Sequence, residues 1–90
     1  MQGQCTAPPL TEQRLTHGLN HSNHAIRSFA KIVTEARKTK TIPNKQDIPT
    51  MELILMTERE LGPLTGEDHE SAFHIIWYLK ELSLGRHPEL

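Results

Sequence analysis

The sequence predicts an all-α fold: a small three-helix domain with one long N-terminal helix and two shorter ones, completed by homodimerisation. Three observations lead there. Apolar residues recur at spacings of three and four along most of the chain, no segment alternates with period two long enough to make a strand, and two of the apolar stretches are wider than one neighbouring helix would cover. Ninety residues allow a single domain, and a chain this short buries only a modest share of its unfolded surface. A hydrophobic fraction of 36% then makes association a natural way to complete the core.

Residues 1–9, with Gly3, Pro8 and Pro9 and no periodicity, are expected to form a disordered arm, followed by one helical domain over 10–86 and a short tail over 87–90. Thr11 is a suitable N-cap, because its hydroxyl can accept from an otherwise unpaired backbone N–H. Leu10 and Leu15 stand where a hydrophobic staple needs them. From there Leu15, Leu19, Ser22, Ile26, Phe29, Val33 and Ala36 keep to one stripe, predicting a first helix that ends near Lys38. Gly18, Asn20, Ser22 and Asn23 are weak helix formers, so a bend or fraying is expected near 18–23.

The stretch TKTIPNKQDI over 39–48 predicts a loop. Pro49 suits the first turn of a second helix, whose end is marked by Gly62 and Pro63. Met51, Ile54, Leu55 and Leu61 share one side of it, whereas Leu53 and Met56 point away, leaving apolar surface on more than one face. Thr65 is the candidate cap of a third helix that ends at Gly85 and Pro88. Its apolar residues Ala72, Phe73, Ile75, Ile76, Trp77, Leu79, Leu82 and Leu84 span an arc of roughly 220°, about twice what a surface helix needs. Glu70, Ser71, His74, Tyr78 and Glu81 make the narrow polar remainder.

Cys5 is the lone cysteine, which removes a disulfide framework and fits a reducing compartment. The opening MQGQCTAPPL has neither a basic flank nor an apolar core, and no twenty-residue apolar run follows, so the expectation is a soluble, cytoplasmic protein. Net charge is −1, but residues 1–45 hold seven Lys and Arg against two acids (+5), and 46–90 hold three against nine (−6). Because both signs are spread along helix faces, attraction between the halves is expected in preference to an acidic partner.

Six histidines invite a metal reading. His17, His21 and His24, spaced i, i+4, i+7, share one face of a continuous helix and are the candidate ligands. That face lies opposite the Leu15–Leu19–Ile26 stripe, so the expectation is a solvated polar face, with no metal and no cofactor. His69-Glu70-Ser71-Ala72-Phe73-His74 has one residue more than the zincin H-E-x-x-H pattern, which turns the two imidazoles about 140° apart. No serine or cysteine sits in a nucleophile motif and the glycines are dispersed, so an enzyme is not expected.

The basic segment 27–45 (Arg27, Lys31, Arg37, Lys38, Lys40, Lys45) gives an alternative nucleic-acid reading. Against it, the last helix begins with Glu67, Asp68 and Glu70, a poor recognition helix. The sequence therefore predicts a non-enzymatic regulatory protein that binds a protein partner through apolar helix surface, for instance an inhibitor or antiactivator of a transcription regulator. Leu53, Met56, Phe73, Ile76, Trp77 and Leu79 are the candidate contact residues.

Overall fold

The computed structural model describes residues 10–62 and 66–89 and contains four α-helices: α1 (Glu12–Leu19), α2 (His24–Thr39), α3 (Met51–Glu60) and α4 (Gly66–Ser83). A single 3-10 turn over Lys45–Asp47 interrupts the loop before α3, and no strand occurs among the described residues. The expected arm at 1–9 and the expected cap at Thr65 lie outside the described residues.

Four helices replace the expected three because the first predicted helix is two. Thr11 caps α1 as expected, its Oγ1 accepting from the Arg14 N–H at 3.2 Å, and Leu10 and Leu15 are both buried. The helix stops at Leu19. Asn20 donates from its side chain to the Thr16 carbonyl, and Asn23 starts α2 by accepting from the N–H groups of Ala25 (2.8 Å) and Ile26 (3.2 Å). Short polar side chains that can bond the backbone locally compete with helix continuation, and here that competition ends one helix and begins the next. Arg27 then donates to the carbonyls of His21 (2.6 Å) and Ser22 (3.1 Å), so the turn's free acceptors are paired.

Close packing adds a second reason for the break. A Cβ at Gly18 would lie 2.0 Å from Ile75 Cδ1 and 3.5 Å from Ala30 Cβ, so α1 approaches both α4 and α2 at its only residue without a side chain. With α1 folded back, α4 packs against α1, α2 and α3 and occupies the centre of the molecule, as its wide apolar arc predicts. Among the described residues, sixteen buried apolar side chains make one cluster, including Ile26, Phe29, Val33, Ile54, Ile75 and Leu82.

Helix ends follow simple capping chemistry. Lys40, at φ 56°, ends α2 in the left-handed region, its N–H reaching the Ala36 carbonyl at 2.9 Å. Thr50 caps α3, its Oγ1 accepting from the Leu53 N–H at 3.2 Å, which places Pro49 just before the cap and outside the first turn. Gly85, at φ 82°, closes α4 with paired bonds from Gly85 N–H to Leu82 O and from Arg86 N–H to Glu81 O. This double bond set is the Schellman arrangement, which a glycine adopts without steric cost.

Beyond that cap, within the stretch expected as a short tail, residues 87–89 are anchored. His87 is buried, donating from Nε2 to the Ala36 carbonyl at 3.0 Å and accepting at Nδ1 from the Glu89 N–H at 3.2 Å. Tyr78, expected on the polar side of its helix, is buried beneath this segment. Its hydroxyl donates to Glu89 Oε1 at 2.7 Å, and Arg37 donates to the same oxygen at 3.0 Å and to the Leu10 carbonyl. Arg37 therefore ties both ends of the described chain to α2.

Candidate interaction face

Helix α3 is ten residues long and rests mainly on α4. At about 100° per residue, Ile54, Thr57 and Leu61 fall together on one side, and all three are buried. The Thr57 hydroxyl joins them by donating to the Leu53 carbonyl at 3.0 Å, which satisfies it inside the helix. Lys80 of α4 closes the joint with bonds of 3.0 and 3.1 Å to the two oxygens of Glu58.

The remainder of α3 faces outward and is unusually apolar for such a position. Leu53, Leu55 and Met56 are 46%, 43% and 50% exposed. Leu55 was expected on the packed side with Ile54. One residue's rotation carries it out, because burial falls on the Ile54–Thr57–Leu61 line. Leu84, at the C-terminal end of α4, is also exposed.

The six residues expected at the contact surface divide between two environments. Leu53 and Met56 are on the surface, whereas Ile76 and Leu79 are fully buried at 0% and belong to the core. Phe73 and Trp77 are half-buried, their ring centroids 6.0 Å apart, with His69 stacked on Phe73 at 6.1 Å. Aromatic rings at i, i+4 and i+8 thus form a row along α4. The sequence reading missed Leu55, and the signal available was the alternation of Ile54 and Thr57 with a charged Glu58 that needs a partner.

Since α1 ends at Leu19 and α2 begins at His24, the i, i+4, i+7 spacing of His17, His21 and His24 no longer means a shared face. His24 is exposed, while His21 is 2% exposed and donates from Nε2 to the Asp68 carbonyl at 3.0 Å, accepting at Nδ1 from the Asn23 N–H at 2.9 Å. His17 lies 3.2 Å from the Asp68 carboxylate through Nε2 and 2.8 Å from Ser71 Oγ through Nδ1. A carboxylate oxygen accepts, so Nε2 is the donor to Asp68. Both ring nitrogens of His17 and of His21 are engaged, and among the described residues no three His, Cys, Asp or Glu side chains converge as metal ligands.

Asp68, His17 and Ser71 form a carboxylate–imidazole–hydroxyl chain whose ring nitrogens are used in the reverse sense to a hydrolytic triad, with Ser71 on Nδ1 and Asp68 on Nε2, and His17 and Ser71 line a cleft together with Thr11, Gln13, Arg14 and Glu67. Ser71, 2% exposed, ties the first turns of α4 to α1 through His17. Arg14 adds a looser contact to Glu70 at 3.8 Å. Together with Arg37 and Glu89, these contacts join the basic half of the chain to the acidic half within one molecule.

At the C-terminal anchor, Tyr78 and Glu89 depart clearly from their ordinary behaviour. Burial, then the hydrogen bond and charge of Glu89, push the Tyr78 phenol upward, and Arg37 opposes this less strongly. Burial alone would raise Glu89, but the bonds from Tyr78 and Arg37 and the charges of Arg37 and Lys40 together outweigh it and hold the carboxyl below its usual range. In the basic segment, Arg27 and Arg37 are committed to internal bonds, leaving Lys31, Lys38, Lys40 and Lys45 exposed.

The fold and this face define a small four-helix protein with one helix packed on a single side. Comparison with protein-family models, with curated proteins and with solved structures found no match. Among the described residues no helix is long and apolar enough to cross a membrane.

Proposed function

We propose that this chain is a non-enzymatic regulatory protein that binds a protein partner through the outer side of α3. The observation that carries this reading is the exposure of Leu53, Leu55 and Met56 on one ten-residue helix, beside a core that is complete without them. Three large apolar side chains on a short exposed helix keep water against hydrocarbon, and covering them with a partner's groove or helix releases it. Recognition by an amphipathic helix laid in a groove uses this kind of i, i+3 anchor pair.

Such a protein acts by occlusion: seated on another protein's surface, for example the dimerisation surface of a transcription regulator, it blocks what that surface would otherwise bind. The reading includes a cytoplasmic site of action and self-association as a second use of the same apolar surface.

A photo-crosslinking residue placed at position 53 or 56, with position 31 on α2 as the control, tests it in the source cell. Adducts with one heterologous protein are expected from α3 and not from the control. Absence of any adduct from both α3 positions would overturn the reading.

A further inference from the structure

We infer that the outer face of α3 is self-complementary and that a second copy of this chain seats on it antiparallel; the inference rests on α3 being a docking face. Directly opposite the buried Ile54–Thr57–Leu61 line, Glu52, Leu55, Met56 and Arg59 form a stripe at i, i+3, i+4 and i+7. All four are exposed. The stripe is apolar in the middle and oppositely charged at its two ends.

Glu52 and Arg59 lie about 10.5 Å apart along the axis, seven residues at 1.5 Å each, too far to pair with each other. Neither takes part in an ion pair among the described residues. A two-fold axis passing between Leu55 and Met56 and relating two antiparallel α3 helices resolves both facts. It brings Glu52 of one copy opposite Arg59 of the other, twice, and sets Leu55 against Leu55 and Met56 against Met56 on either side of the axis. An isologous contact requires this kind of match, in which the same patch serves both subunits. A parallel arrangement would oppose like charges at each end.

The contact is small. One ten-residue helix covers well under the ~800 Å² per partner of a standard interface, so the association is weak, with a dissociation constant on the order of micromolar or above. At low concentration the face stays open to a heterologous protein, and self-association competes with that binding.

Sedimentation equilibrium of the purified chain tests the geometry by charge reversal. The unaltered protein is expected to show a monomer–dimer equilibrium that weakens at high salt. Glu52→Arg alone and Arg59→Glu alone are each expected to weaken it at least tenfold by opposing like charges. The double variant restores it, and so does an equimolar mixture of the two single variants, which pairs as a heterodimer. A folding defect predicts the reverse order, because the double variant carries both unfavourable charges at the α3 ends. A chain that stays monomeric to millimolar concentration overturns the inference, as does a dimer indifferent to the single reversals. Crosslinking of α3 to a heterologous protein would in either case survive, since sedimentation of the pure chain measures only self-association.

Discussion

The imidazole of His21 donates from Nε2 to the backbone carbonyl of Asp68, 47 residues away, at 3.0 Å. Its other nitrogen accepts from the Asn23 N–H at 2.9 Å, so one buried ring holds the α1–α2 turn closed and fastens it to the first turns of α4. His87 repeats the device at the other end, with the Glu89 N–H and the Ala36 carbonyl as its partners.

His21→Ala leaves a buried carbonyl and a buried N–H unpaired and opens a cavity. A loss of about 2–4 kcal/mol is expected from these combined costs, read as a lower urea midpoint at unchanged slope. His24→Ala removes an exposed ring that meets Arg27 at 3.5 Å, and is expected to stay within about 0.5 kcal/mol. Equal effects of the two would contradict the separation of these histidines by the helix break.

Gly18→Ala would stabilise an ordinary helix by about 1 kcal/mol. Here the new Cβ meets Ile75 Cδ1 at 2.0 Å, so the expected sign is reversed, with a loss of about 1–3 kcal/mol from overpacking. Ile75→Val deletes that methyl group, and the double variant is expected to be more stable than the sum of the two single losses. Additive losses in a thermal denaturation cycle would show that the contact is not the cause.

Ile76→Ala and Leu79→Ala should each cost about 2–5 kcal/mol, since both side chains are fully buried. Leu53→Ala and Met56→Ala, on the exposed side of α3, should change stability by less than about 0.5 kcal/mol while reducing crosslinking to a partner. Denaturation followed by the fluorescence of Trp77, the only tryptophan, separates the two groups.

At the C-terminal anchor the pH dependence has a defined sign. Glu89 is held below its ordinary range, so its folded form binds a proton less readily than its unfolded form. Its contribution is present above the ordinary carboxylate value of about 4.3 and is lost as pH falls through the lowered folded value. Glu89→Gln is therefore expected to destabilise the protein at pH 7 and to flatten that acid limb. Tyr78 is the only tyrosine, so tyrosinate absorbance reports it alone. Its titration, raised by burial and by Glu89, should move down in Glu89→Gln yet stay above that of free tyrosine. An unchanged tyrosine titration would remove Glu89 as a cause.

The sequence by itself determined the helical class, the cap at Thr11, the stop at Gly85 and the central place of α4, because each follows from the local spacing of apolar residues or from one side chain bonding the nearby backbone. It also marked 18–23 as weak, from the propensities of Gly18, Asn20, Ser22 and Asn23. Only the tertiary structure decided that this weakness is a full turn. The deciding groups, Ile75 against Gly18 and the Asp68 carbonyl against His21, come from the far end of the chain. The same distance hid the anchored 87–89 segment, held by Arg37 and Tyr78. On α3, periodicity showed more apolar residues than one face can hold, but which line turned inward was set by α4, where Lys80 meets Glu58 and leaves Leu53, Leu55 and Met56 outside. Periodicity is a property of one helix, and burial is a property of two.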